Sequence, residues 1–108
     1  MPKSNFIIIY VTAKDSKQAK NIAQKIIQEK RAACVNIVPN VQSVYRWNGK
    51  VETSKEVLMI IKSQKSNFSK IADLVTQNHS YELPEIIAVP IVDGSKKYLK
   101  WIKESLEG

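Results

Sequence analysis

The sequence predicts an α+β fold: a four-stranded antiparallel sheet with helices packed on it. Three observations predict it. Strand-like and helix-like segments follow in the order βαββαβ with one further helix, an Asn48-Gly49 pair separates two long extended runs, and three strand-like segments are apolar at nearly every position. With 108 residues, 44% hydrophobic and 25% charged, the composition is that of a globular domain and excludes disorder and collagen-like repeats. No linker, internal repeat or low-complexity stretch interrupts the chain, so a single domain over residues 1–108 is expected.

The first strand is Phe6-Ile7-Ile8-Ile9-Tyr10-Val11, a β-branched and aromatic run that reads as buried on both faces. Asp15 followed by Gln18 resembles a capping box. Ala19, Ile22, Ala23, Ile26 and Ile27 then recur at helical spacing, predicting a helix to about Lys30. Residues 33–47 form an extended arm in which Pro39, lacking an N–H, marks a bulge, a bend or an edge. Asn48-Gly49 signals a type I′ hairpin, because that turn needs φ > 0 at both central residues. A two-residue loop opposes Trp47 to Lys50 and Tyr45 to Glu52, and Ile37 to Ile60 if Pro39 leaves the register intact. The returning strand holds the apolar run Val57 to Ile61. Ser66 is placed to cap a second helix with Phe68, Ile71, Leu74 and Val75 inward. Residues 79–85 read as a loop and Ile86 to Ile91 as the fourth strand. Asp93-Gly94-Ser95 leads into a last helix carrying Tyr98, Leu99, Ile102 and Leu106.

This order is the split βαβ, or ferredoxin-like, arrangement, whose sheet carries two helices on one face and leaves the other wet. Here Phe6–Val11, Val57–Ile61 and Ile86–Ile91 lack the apolar–polar alternation of a half-exposed sheet. One short helix cannot cover that face, so a second copy of the chain is the expected cover and a homo-oligomer the expected state.

Seventeen Lys+Arg against ten Asp+Glu give a net charge of +7, which raises nucleic acid or acidic membranes as partners. The lysines sit on outer helix faces, only Arg31 and Arg46 are arginine, and residues 51–61 hold no aromatic for base stacking. The charge therefore reads as a solvated surface, with no specific nucleic acid expected. Three glycines, placed as they are, exclude dinucleotide and Walker-type phosphate loops. A single cysteine, Cys34, in an apolar strand context suits a reducing compartment and a structural role. No apolar run approaches the roughly 18 residues of a membrane span, and Phe6–Val11 suits a strand better than a signal peptide. A cytoplasmic protein is expected.

The densest group of functional side chains is His79-Ser80-Tyr81-Glu82-Leu83-Pro84-Glu85. An imidazole beside carboxylates suits copper or zinc, although one histidine cannot complete a site inside one chain. Acid–base catalysis by Glu82 and Glu85 lacks a nucleophile and an oxyanion donor nearby, so no enzyme is expected.

Ala32-Ala33-Cys34-Val35-Asn36-Ile37, Pro39, Ser43-Val44-Tyr45-Arg46-Trp47-Asn48-Gly49-Lys50, Glu56, Ile61-Lys62, the stretch from His79 to Ile86, Pro90 and the segment from Tyr98 to Trp101 together resemble the CutA divalent-cation tolerance family. The resemblance spans nearly the whole chain. It implies a PII-like homotrimer whose sheets meet around a three-fold axis, with the arm through Tyr45 and Trp47 reaching a neighbour. It also implies tolerance of copper and other divalent cations by binding rather than turnover. Residues similar to the family's intersubunit cleft are Tyr45, Trp47, Lys62, Tyr81, Glu82, Glu85 and Trp101, with His79 as metal ligand. Copper coordination proposed for bacterial members uses a first-strand cysteine and two adjacent histidines. This chain has Val11 and Asn78 there and retains only His79, and Ser80 stands where the family has proline. The resemblance thus implies no required cofactor and weak binding of Cu²⁺ or another divalent cation. The alternative is a signalling or scaffold trimer that takes a small anionic ligand or a protein partner in its clefts, with Lys62 as receptor.

Overall fold

In a computed structural model, the structure describes residues 5–107. The elements are β1 (Phe6–Ala13), α1 (Ser16–Gln28), β2 (Cys34–Trp47), β3 (Lys50–Gln64), α2 (Phe68–Asn78, preceded by a 3₁₀ turn, Lys65–Asn67), β4 (Ile86–Pro90) and α3 (Lys96–Ser105). All neighbours in the sheet are antiparallel, in the order β2-β3-β1-β4. This is the expected ferredoxin-like arrangement with an added helix.

Local chemistry sets the boundaries. Asp15 caps α1, its Oδ1 accepting from the Gln18 N–H at 2.8 Å, while Gln18 Oε1 accepts from the Lys14 N–H at 3.0 Å. The helix closes at Glu29, and Lys30 takes φ 58° just beyond it. The inward spacing holds for Ala19, Ile22, Ala23 and Ile26, but Ile27 is 40% exposed. Ser66 does not cap α2. It falls in the 3₁₀ turn, and α2 starts after Asn67 without a side-chain cap. Ser95 does cap α3, accepting from the Tyr98 N–H at 3.3 Å. The hairpin turn is of the expected kind, with φ 50° at Asn48 and 76° at Gly49.

Trp47 opposes Lys50 and Tyr45 opposes Glu52, as the two-residue loop requires, but Ile37 opposes Met59 and not Ile60. A bulge between Val38 and Val41 sets Pro39 and Asn40 against Val57 alone, with Asn40 at φ 62°. The extra residue decides which way side chains point, since a one-residue slip turns a strand over. It carries Ile37 to the side of Met59, where it packs against the core. The same slip leaves Ser43, Tyr45 and Trp47 on the side shared by Ser54 and Glu56.

The core lies between the sheet and the pair α1 and α2, and joins Ile7, Ile9, Val11, Met59 and Ile61 to Ile22, Ile26, Ile71 and Val75. Burial alternates along β1 and β3 although hydrophobicity does not: Ile8, Tyr10, Leu58 and Ile60 are only partly covered. These four lie on the second face, where Val38, Ile87 and Val89 are 39%, 51% and 37% exposed. Helix α3 packs on β3. Its Tyr98 lies beside Cys34, which opposes Lys62 in the sheet, so α3 covers one end of the second face. Pairing of β1 with β3 ends at Val57, so residues 41–56 form a two-stranded arm that pairs only with itself.

Candidate functional site

The expected cleft residues divide into two groups. Tyr45 and Trp47 from the arm and Tyr81, Glu82 and Glu85 from the loop before β4 share a cleft of about 850 Å³ where the arm leaves the sheet. Lys62 and Trp101 are not in its lining. Lys62 stands on the second face and its Nζ donates to Asn36 Oδ1. Trp101 lies on α3 against Tyr98, with ring centroids 5.4 Å apart.

Thr12, Ser43, Val44, Ser54 and Glu56 complete the floor and arm side of the cleft, and Ser80 and Leu83 the loop side. Glu56 is the charged residue that the sequence reading misses as a site component, as it misses Thr12, Ser43 and Ser54. A carboxylate at the edge of the apolar run Val57 to Ile61 is its signal. Glu56 is 8% exposed, and no Lys or Arg pairs with it among the described residues. Its neighbour is Tyr81, whose phenol is pushed up to about 12 by burial first and then by the hydrogen bonding and charge of the Glu56 carboxylate. Tyr81 therefore stays a protonated donor at neutral pH and offers no general base.

His79 builds the loop around itself. Its Nδ1 accepts from the Tyr81 N–H at 3.1 Å, which leaves the proton on Nε2, and Nε2 donates to the Thr12 carbonyl at 2.7 Å. The imidazole also packs against the Tyr81 ring at 4.6 Å between centroids. Both ring nitrogens are thus engaged, Nε2 tying the loop to the end of β1 and Nδ1 holding the turn of the loop itself. A second tie runs from Gln18 Nε2, which donates to Ser80 Oγ at 3.1 Å and joins the loop to the capped start of α1. Across the arm, Tyr45 Oη and Ser54 Oγ are 3.2 Å apart. Among the described residues no group of three or more His, Cys, Asp or Glu side chains is close enough to hold a metal ion.

The cleft lining is therefore acidic and aromatic. Glu56, Glu82 and Glu85 bring three carboxylates, Tyr45, Trp47 and Tyr81 bring three rings, and no lysine or arginine is present. Such a surface attracts cations and repels anions, against the sign of the whole chain.

Comparison with known proteins agrees with the fold. Residues 7–105 match the family model described as CutA1 divalent ion tolerance protein. The chain is 50% identical over 99 residues to the chloroplastic protein CutA of Arabidopsis thaliana, covering 92% of this chain and 54% of that protein. It is 39% identical over 98 residues to the divalent-cation tolerance protein CutA of Thermus thermophilus, covering 91% of this chain and 95% of that one. The chain spans about half the length of the plant and animal relatives it matches, 54% in Arabidopsis and 55% in human. Among solved structures, the periplasmic divalent cation tolerance protein CutA of Archaeoglobus fulgidus superposes with a TM-score of 0.92 at 41% identity, covering 94% of this chain and 99% of that one. CutA1 of Oryza sativa does so with 0.91 at 48%, covering 95% and 94%. The family model and the Thermus and Archaeoglobus relatives are named for tolerance of divalent ions and not for a reaction. The chain belongs to the CutA1 divalent ion tolerance family.

Proposed function

We propose that this chain works as a cytoplasmic homotrimer in tolerance of copper and other divalent cations, binding metal weakly and catalysing nothing. The observation that carries the reading is the charge of the cleft: Glu56, Glu82 and Glu85 with no basic residue in the lining. Low affinity follows from the same geometry. His79 can ligate only by giving up one of its two hydrogen bonds, a loss of about 1 kcal/mol. A neighbouring chain must then supply the remaining ligands. The half-covered second face and the projecting arm favour self-association as the way to bring that neighbour close.

Two facts support the location: Cys34 is free, and no helix among the described residues is long and apolar enough to cross a membrane. Relatives carry chloroplastic and periplasmic names, so fractionation of cells expressing the tagged full chain decides the compartment.

Calorimetric titration of the assembled protein with Cu²⁺ tests the metal role. Weak saturable heats are expected, diminished in the Glu82→Gln, Glu85→Gln double variant and in His79→Ala. Absence of saturable heat in the unaltered protein overturns it. The reading of a small anionic ligand held by Lys62 is not favoured, because Lys62 lies outside the cleft on Asn36 and the cleft walls are acidic.

A further inference from the structure

The net charge of +7 is not spread evenly over the fold. Strand β1 runs about 24 Å along the sheet, and its two ends differ in charge. Around its Ala13 end lie residues 14–17, the arm over residues 46–56 and the loop over residues 79–85, which together hold five basic and five acidic side chains. That end is balanced. At the Phe6 end, Lys65 follows Gln64, the partner of Phe6, and the Lys65 N–H donates to the Asn5 carbonyl. Arg31 is held there by Ser63, whose Oγ donates to its carbonyl, with Lys30 just before it. Lys70 stands in the first turn of α2. The chain leaving β4 crosses the same end, since the Ile91 N–H donates to the Phe6 carbonyl, and it leads to Lys96 and Lys97 at the start of α3. Across residues 29–31, 65–70 and 91–97, these six basic side chains have only Glu29 and Asp93 as acids among them. All but Arg31 are exposed, and none joins an ion pair among the described residues.

We propose that this basic end docks on an anionic lipid surface, with its lysines at the headgroups and Val92 at the boundary of the acyl chains. The charge is gathered where a surface potential that fades within about 10 Å can act on all of it at once. Five of the six cations are lysine, a point charge that suits lipid headgroups, whereas base recognition favours the arginine fork. Val92 is 89% exposed and lies between the Ile91 contact with Phe6 and the lysines of α3. An exposed apolar side chain among lysines gains from a bilayer boundary and nothing from a polyanion in water. The site also stays clear of the surfaces that the proposed trimer uses, the second face of the sheet and the arm. A three-fold axis repeats it three times at one level along the axis, so three weak contacts act together.

The inference concerns the end opposite the cleft and goes beyond metal binding, so its test contains no metal. The full chain is floated with vesicles of phosphatidylcholine carrying about 30 mol% phosphatidylserine and with vesicles of phosphatidylcholine alone. A single-stranded RNA of about 20 nucleotides, read by anisotropy, is the competing polyanion. Protein should float with the anionic vesicles only, and salt raised to about 300 mM should release it. Lys96→Glu, Lys97→Glu should lose about ten-fold or more in vesicle affinity, and carboxylates suit the start of a helix, so the variant should fold. Lys65→Gln, Lys70→Gln, on a different element, should lose about five-fold. Lys17→Glu, Lys20→Glu makes the same charge change as the α3 pair on the exposed side of α1 and should lose about two-fold at most. Val92→Ser should lose about three-fold. Absence of flotation with anionic vesicles overturns the inference, as do equal losses in the α1 and α3 pairs. Vesicle affinity unchanged in Val92→Ser, or tighter binding of the RNA than of the vesicles, overturns it as well, because the partner is then not a lipid surface.

Discussion

Tyr81 is the side chain through which the loop and the arm meet, and its acidity reports the contact. With the phenol raised to about 12 in the folded chain against about 10 when unfolded, the folded state holds the proton more tightly. The stabilisation is complete below pH 10 and disappears as pH rises through about 12. Denaturant midpoints should therefore fall more between pH 9 and pH 11 in the unaltered protein than in Tyr81→Phe, and equal falls would dissociate Tyr81 from the effect. Glu56→Gln should bring the phenol partway back toward 10, since burial, the larger cause, stays. Replacing His79 by alanine removes the acceptor for the Tyr81 N–H and the donor for the Thr12 carbonyl, at a cost of about 1–3 kcal/mol in unfolding free energy. At this scale the sequence reveals half of the site. Tyr81, Glu82 and Glu85 stand out because the loop crowds ionisable groups together. Thr12 and Glu56 do not, because they reach the cleft through sheet register, which is a property of two strands and not of one.

The arm is the element most exposed to test. A two-stranded ribbon is marginal alone, and Val44 and Val51 are 67% and 68% exposed on it, so its turn must carry part of its stability. Gly49 at φ 76° has nothing within 4 Å of where a Cβ would stand. Gly49→Ala should therefore cost about 1–2 kcal/mol by backbone strain alone, measured by chemical unfolding, and a neutral result would mean that neighbours and not the turn hold the arm. Helix α1, by contrast, is readable from its cap to Ile26, because Asp15, Gln18 and the apolar spacing all act within the helix itself, and only its last expected inward residue, Ile27, turns out exposed. The Ile37 pairing was not. Pro39 flags an irregularity without stating its size, and only packing of Ile37 into the core rewards the single extra residue found there.

At the scale of the whole molecule, apolar residues on the second face of the sheet outnumber what α3 covers. In the proposed trimer that surface closes against its copies, and light scattering at micromolar protein should give three times the 12.3 kDa of one chain. A mass of one chain would remove the trimer. Lys100 with Glu104, at 3.9 Å and well exposed, adds little to this balance. The bulge at Pro39 and Asn40 has one more consequence, concerning reach. Beyond it, each residue lengthens the arm by about 3.4 Å, and each single-residue change in both strands also exchanges its two sides. The distance the arm spans is thus quantised: a version shortened by two residues per strand keeps Tyr45 and Trp47 turned toward the cleft, and one shortened by a single residue per strand turns them away. Whatever the arm touches in the assembly can move nearer or farther only in steps of about 7 Å.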